Sequence, residues 1–333
     1  MAAAVVEQVW RESAPEAVED DLAAVWRGIA ARGPVARAVM SNLIVFRLHD
    51  GSDRARDRAA QFEAQLGAVM ARHPSRVIVI EQVRGACELR TPVAAGVGVC
   101  VFGPPAARYA MEKIVIRSAC AEASLPSIVR RFARGDVPTS IWWTEDASEM
   151  EPLPALVSMG RQLVYDSRLW SDVGKGVRAI CAVADEETDL SDLNWRRLAP
   201  VRRAVVHACS AAPSLTMSSI RIDHVPGDRA LAWLLAGWLG AHAGAEAAGD
   251  RWPSINQSPE NEGERLVVSI GSARVTLAMN DHRVHVTASD APPFVVAVPR
   301  DEQPDAIAAE LRTLARDAAL RATMDFLATR SGL

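Results

Sequence analysis

Ser-Asn-Leu-Ile-Val-Phe-Arg at 41–47 and Val-Ile-Val-Ile at 77–80 decide how this chain folds. Both runs are apolar without alternation, the pattern of strands buried on both faces of a sheet. Between them lies a charged segment, 53–72, that carries Phe62, Leu66, Val69 and Met70 at helical spacing. Strand, helix and strand in that order predict a βαβ unit with parallel pairing and a right-handed crossover.

Working outward, residues 16–32 predict a helix with Val18, Leu22, Val25, Trp26 and Ile29 on one stripe, stopped by Gly33-Pro34. Residues 86–93, 96–103 and 112–118 read as short antiparallel strands. A helix near 125–134, a strand at 138–144, a helix near 153–160 and a strand at 161–168 return to alternation of α and β. The acidic, polar stretch 184–191 reads as a domain boundary.

Beyond it, a helix with Leu198, Val201, Val205 and Ala208 on one face contains Pro200, which should kink or restart it. A strand at 218–225, an apolar helix at 228–243 and a loop at 249–263 follow. Four alternating strands at 265–270, 273–279, 283–289 and 293–298 predict an antiparallel meander, and 304–327 a final helix. The expected fold class is α/β and α+β. An N-terminal α/β domain with a mixed sheet (1–187) precedes a C-terminal α+β domain (188–333) with an antiparallel meander and flanking helices.

Composition narrows the function. The chain has 333 residues, 49% hydrophobic and 23% charged, which suits two packed domains rather than disorder. A net charge of −4 leaves no basic excess for a phosphate backbone, so a nucleic-acid partner is not expected. The N-terminus lacks a basic region before an apolar one, and the apolar run 230–241 is too short to span a bilayer. A cytoplasmic protein without a membrane partner is expected. Cys87, Cys100, Cys120, Cys181 and Cys209 are widely spaced and form no zinc pattern. Only two of the 37 basic residues are lysines, while tryptophans number nine.

The search for chemistry finds no catalytic constellation. Gly96-x-Gly98 sits on an alternating strand pattern rather than opening a helix, so it is not a dinucleotide fingerprint. Gly174-Lys175-Gly176 lacks the rest of a phosphate loop and reads as a turn. His282 and His285 suit an exposed hairpin, and Asp223 and His224 point to opposite faces of a strand. No catalytic residue, metal or cofactor is expected.

Three segments stand apart: His73-Pro74-Ser75-Arg76 at the entry to a buried strand, Trp142-Trp143 on a central strand, and the Trp/Arg/Asp-rich stretch 192–202. At least one of the paired tryptophans should be core, leaving the other to anchor a partner. Asp192 can cap the helix that follows it.

With HPSRVIVI (73–80), CAEASLPSIVRRF (120–132), the strand ending in Trp142-Trp143, VYDSR (164–168), DLNWRRLAPVR (192–202) and LLAGWLG (234–240), in that order and spacing, the chain resembles the glucose-6-phosphate dehydrogenase assembly protein family, OpcA. The resemblance implies a non-catalytic accessory protein that binds glucose-6-phosphate dehydrogenase and promotes its assembly or allosteric activation in the oxidative pentose phosphate pathway. Cyanobacterial members are implied to be under redox control, but the cysteines here match no regulatory positions. The candidate partner surface is Asp192, Asn194, Trp195, Arg196 and Arg202, together with His73, Arg76, Asp166 and Arg168. Trp195 is expected to reach toward the partner. The alternative reading is a sugar-phosphate or nucleotide sensor, or an enzyme, using an inter-domain cleft in which Arg76 and Arg168 hold a phosphate.

Overall fold

The computed structural model describes residues 5–49, 53–83, 93–118, 125–211, 220–243, 252–258, 263–271, 275–289, 291–299, 302–313 and 315–330. In chain order the first part holds β1 (Val5–Ser13), α1 (Val18–Ala30), β2 (Ala36–Arg37), β3 (Ser41–His49), α2 (Asp53–Arg72), β4 (Ser75–Val83), β5 (Ala94–Phe102) and β6 (Tyr109–Ser118). It continues with α3 (Leu125–Phe132), β7 (Thr139–Trp143), α4 (Pro154–Val157), β8 (Gln162–Tyr165), α5 (Val173–Val183) and β9 (Asp189–Asp192).

Among the described residues these strands form one mixed sheet in the order β1-β5-β6-β4-β3-β7-β8-β9, with β2 beside β6. β6, β4, β3, β7, β8 and β9 are mutually parallel, while β5 is antiparallel to both β1 and β6. Numbered along the chain, the six parallel strands run 3-2-1-4-5-6. That is a doubly wound sheet whose winding reverses between β3 and β7.

The uniform apolar runs have the predicted cause. Leu43, Val45, Val77, Val79 and Trp142 pack on the side of α2, and Ile44, Phe46, Ile78, Ile80 and Trp143 pack on the other. Both tryptophans are core, because a central strand covered on both faces has no side left for a partner. Trp143 stacks on Phe46 with ring centroids 4.1 Å apart.

Gly96 and Gly98 are strand residues of β5, and Trp10 explains them. Its indole lies across both, and a Cβ on Gly96 would stand 2.2 Å from Trp10 Cζ2. β1 itself was not expected, since its sequence VVEQVWRES has one short apolar patch and two acids. Gly174 and Gly176 are not in a turn either. They lie in the first turns of α5, capped by Asp172, whose carboxylate accepts from Lys175 N at 2.9 Å.

The second part holds α6 (Leu193–Ala211), β10 (Ile220–His224), α7 (Arg229–Ala243), β11 (Ser254–Gln257), β12 (Leu266–Ile270), β13 (Val275–Met279), β14 (Arg283–Ala288), β15 (Ala291–Ala297), α8 (Gln303–Arg312) and α9 (Ala318–Ala328). Its sheet runs β11-β10-β12-β13-β14-β15 and is antiparallel except for β10 beside β11. The inward positions Leu266, Val268, Ile270, Val275, Leu277, Met279, Val284 and Val286 alternate with more exposed ones and join the core cluster that also fills one face of the first sheet.

Three expectations are corrected. The expected loop 249–263 contains β11, which gains its strand from parallel pairing with β10 rather than from its own polar sequence. The acidic stretch 184–191, where the sequence places the domain boundary, runs into regular structure. Asp189–Asp192 is a buried strand of the first sheet, and its polar groups are used internally. The single final helix is two, because Asp317 accepts from Leu320 N and starts α9 anew. Pro200 does not restart its helix, since α6 runs through it from Leu193 to Ala211. Residues 86–92 of the strand expected at 86–93, the whole of 120–124, Cys87 and Cys120 lie outside the described residues, as does the side chain of Cys209.

Candidate functional site along helix α6

α6 joins the two sheets. It leaves the last strand of the first sheet and packs on β13, β14 and β15 of the second, on α7 and on α8. Leu193 enters the core on the α2 side of the first sheet, while Trp195, Leu198, Val201, Ala204, Val205 and Ala208 enter the shared core. Its start is capped by Asp192, whose Oδ1 accepts from Asn194 N at 2.9 Å and from Ser167 N at 3.0 Å.

Trp195 does not project toward solvent. It is 4% exposed, and its Nε1 donates to Asp317 Oδ2 at 2.7 Å. The Arg202 guanidinium lies over the indole, 3.6 Å from the ring centroid. Arg196 pairs with Glu310 of α8 at 3.4 Å. Arg197 makes a two-pronged pair with Asp166, at 2.8 and 2.9 Å, from α6 to the end of β8. Arg168 donates its backbone N–H to the same carboxylate at 3.1 Å, and its side chain remains 40% exposed.

The C-terminal ends of β8 and β9 thus gather Asp166, Arg168, Asp192 and Asn194 from the sequence candidates. This corner is polar inside. Asp192 Oδ2, both polar atoms of the Asn194 amide, Ser167 Oγ and Tyr165 Oη are buried without a hydrogen-bond partner among the described residues. Burial, aided by the nearby Asp166 carboxylate, pushes the Asp192 carboxyl up to about 7. Burial also raises the Tyr165 hydroxyl well above its ordinary value, with Asp192 adding to the shift.

His73 and Arg76 are elsewhere. They sit at the start of β4, at the opposite end of the parallel strands, and both are buried. His73 Nε2 lies 3.0 Å from Ser41 Oγ. Burial, with the charge of Arg312, holds its imidazole below the usual value. Arg76 is 3% exposed and meets the fully buried Glu112 at 3.1 Å. Glu112 also pairs with Arg37 and accepts from Trp26 Nε1 at 2.7 Å. Arg76 therefore neutralises a buried acid and is not available to a ligand.

Two grooves flank the outer side of α6. One, of about 220 Å³, lies on the seam where α6 meets the exit of β15 and the start of α8. Leu193, Pro200, Val298, Pro299 and Ala306 line it, with Arg196, Arg197 and Arg203 at its rim. The other, of about 560 Å³, lies farther along the helix between Arg202 and Trp238. Arg197, Arg203, Glu310 and Asp317 were not among the sequence candidates. Arg197 was within reach because it sits in the motif 192–202, whereas Asp317 lies 122 residues from its tryptophan partner.

The 3-2-1-4-5-6 strand order raises the question of a dinucleotide at the β3/β7 crevice. The residues there do not fit one. The chain after β3 reads DGSDRAR (50–56), without the glycine-rich phosphate turn. Glu145 presents a carboxylate at the ends of these strands, accepting from Leu48 N at 2.8 Å and from Thr144 Oγ1 at 3.1 Å, where it would oppose a pyrophosphate. Among the described residues no three His, Cys, Asp or Glu side chains cluster as metal ligands, and no helix is long and apolar enough to cross a membrane.

Two family profiles match the chain. Residues 67–182 match the N-terminal domain of the glucose-6-phosphate dehydrogenase subunit, and residues 188–324 match its C-terminal domain. A curated relative from Synechococcus elongatus, named OxPP cycle protein OpcA, is 24% identical over 139 residues, which is 40% of this chain and 31% of that protein. The match thus spans less than a third of the relative's length. Among solved structures, an oxidoreductase from Sinorhizobium meliloti is 8% identical with a TM-score of 0.45, covering 86% of this chain and 94% of that one. Biliverdin reductase from Synechocystis is 9% identical with a TM-score of 0.44, covering 87% and 96%. At these scores neither likeness bears on activity.

Proposed function

This chain belongs to the OpcA family of glucose-6-phosphate dehydrogenase subunits, and from that premise we propose that it is a non-catalytic partner of the enzyme that promotes its assembly or activation. Family membership supports an accessory role associated with glucose-6-phosphate dehydrogenase in the oxidative pentose phosphate cycle. Direct binding, a cytoplasmic location and the lack of a reaction of its own are parts of the proposal.

The observation that carries it is the seam groove on α6. The groove is built by elements of both halves, Leu193, Arg196 and Pro200 from α6 with Val298, Pro299 and Ala306 from beyond the second sheet. It has an apolar floor and an arginine rim, the mixture that favours protein recognition. A partner side chain seated there contacts both halves at once. Binding the active state of the enzyme better than its other states shifts the enzyme's population toward it, and no chemistry is required. Of the sequence candidates, Arg196 lines this groove directly, Asp166 and Asp192 position it through Arg197 and the helix cap, and Arg168 stands exposed nearby.

The test is titration of the purified protein into glucose-6-phosphate dehydrogenase of the same organism, following KM, kcat and oligomeric state together. Co-elution with a change in at least one of the three is expected. An Arg196→Ala, Pro299→Glu double variant that folds normally should lose the effect. Full retention of the effect by that variant would remove the seam groove from the interface, and no change in any readout with the unaltered protein would sink the proposal itself.

A further inference from the structure

Two of the four arginines on α6 are held in ion pairs. Arg196 pairs with Glu310, and Arg197 with Asp166. One turn farther on, Arg202 and Arg203 make no hydrogen bond or ion pair among the described residues, although both line the groove of about 560 Å³. Arg202 Nε is buried with no partner. The nearest acid to Arg202, Asp317, already spends Oδ2 on Trp195 and Oδ1 on the start of α9. Burial, with the like charge of Arg203, holds the Arg202 guanidinium below its ordinary value even though Asp317 opposes the shift.

The rest of the groove is built to match. His207 stands edge-on to Phe294, with ring centroids 4.8 Å apart, and this fixes its ring. The Ser210 hydroxyl lines the groove while donating to Val206 O at 2.8 Å, and Val206 and Trp238 form an apolar wall. Two guanidiniums without an ion pair among the described residues, with an imidazole beside them and an indole across the groove, form a cradle for an anion attached to a carbon body.

We propose that this groove binds a small phosphate monoester, with the phosphate held by Arg202 and Arg203 and the body against Trp238 and Val206. Guanidinium forks match phosphate oxygens in pairs, and the volume lies within the roughly 300–1,000 Å³ of small-molecule sites. An acidic protein segment fits less well, because a long anion would need cations in a row, and the arginines preceding this pair on α6 already hold Glu310 and Asp166. The site does not depend on the accessory function proposed above.

The test is calorimetric titration of the full chain, without partner enzyme, with inorganic phosphate, glucose 6-phosphate and adenosine 5′-monophosphate. At least one ester should bind one-to-one and about tenfold more tightly than inorganic phosphate, a gap of about 1.4 kcal/mol. The two esters distinguish a sugar body from a nucleotide body. Arg203→Ser changes an exposed side chain and should leave the melting temperature unchanged while weakening the ester about tenfold or more. Arg202→Gln should weaken it further, with folding checked by circular dichroism because this residue stacks on Trp195. The proposal is overturned if neither ester saturates by about 10 mM, or if Arg203→Ser binds as the unaltered protein does. It is also overturned if inorganic phosphate binds as tightly as both esters. Absence of ester binding overturns it whether or not Arg203→Ser also loses enzyme binding, because Arg203 rims the seam groove as well.

Discussion

Trp195 and Asp317, 122 residues apart, share a 2.7 Å hydrogen bond that ties α6 to the start of α9. The same carboxylate caps α9 through Leu320 N at 2.9 Å. Trp195→Phe keeps most of the packing and removes the donor, so it should lower unfolding free energy by about 1–3 kcal/mol in urea titration. Trp195→Ala adds a cavity and should lose about 3–5 kcal/mol. An unchanged midpoint for both variants would show that the bond contributes nothing to stability.

The Asp192 carboxyl, at about 7 in the folded chain against 3.8 ordinarily, gives stability a definite pH dependence. Between these values the folded chain holds a proton that the unfolded chain has lost. Stability from this group therefore falls as pH rises from about 4 to about 7 and stays low above that window. Asp192→Asn can still accept from Ser167 N and Asn194 N, and it carries no charge. It should match the unaltered protein near pH 4 and exceed it above pH 7. Denaturation curves that stay parallel across this range would contradict the shift.

His73 acts with the opposite sign. Its folded value lies below 6.5, so the unfolded chain binds more protons in mild acid and stability is lost as pH falls below 6.5. His73→Gln should flatten the acidic limb and leave the limb governed by Asp192 unchanged. The two slopes can be separated by measuring each single variant and the double variant.

Arg76 and Glu112 form a buried pair at 3.1 Å. Removing Arg76 leaves the buried Glu112 to Arg37 and Arg134, which are more exposed, so Arg76→Met should cost up to about 3–5 kcal/mol. Arg76→Met with Glu112→Gln should recover part of that loss. A recovery that fails to appear would indicate that Arg37 and Trp26 hold Glu112 without help.

Burial pushes the Cys100 and Cys181 thiols up to about 11. At pH 8 their thiolate fraction is on the order of one in a thousand. Alkylation of the native protein by iodoacetamide, followed by peptide mass spectrometry, should label both far more slowly than after unfolding. Fast native labelling of either would mark it as a reactive thiol.

The parallel strands were legible because sheets covered on both faces leave their strands uniformly apolar, as 41–47 and 77–80 show. The meander was legible from alternation. β9 was not, since Asp-Leu-Ser-Asp reads as surface. Its Ser191 hydroxyl accepts from Gln162 Nε2 at 2.9 Å, and Asp192 caps a helix, so its polarity is satisfied from inside. The helix carrying the candidate motif was legible, as was Asp192 as its cap. What Trp195 does was not, because its partner arrives from the far end of the chain. For the same reason His73 and Arg76 drew notice for chemistry and turned out to hold the base of the sheet.

α8 lies against α2, and α9 against α5 and α7. α8 therefore closes over a helix made early and α9 over helices made later, on opposite faces of the first sheet. Ala306, Ile307 and Leu311 complete one core, and Leu320, Met324 and Leu327 the other. During synthesis the first sheet must wait, with apolar surface showing, until the tail emerges to clasp it. A nonsense mutation near residue 300 would thus strip the early half of its cover while leaving every one of its strands encoded.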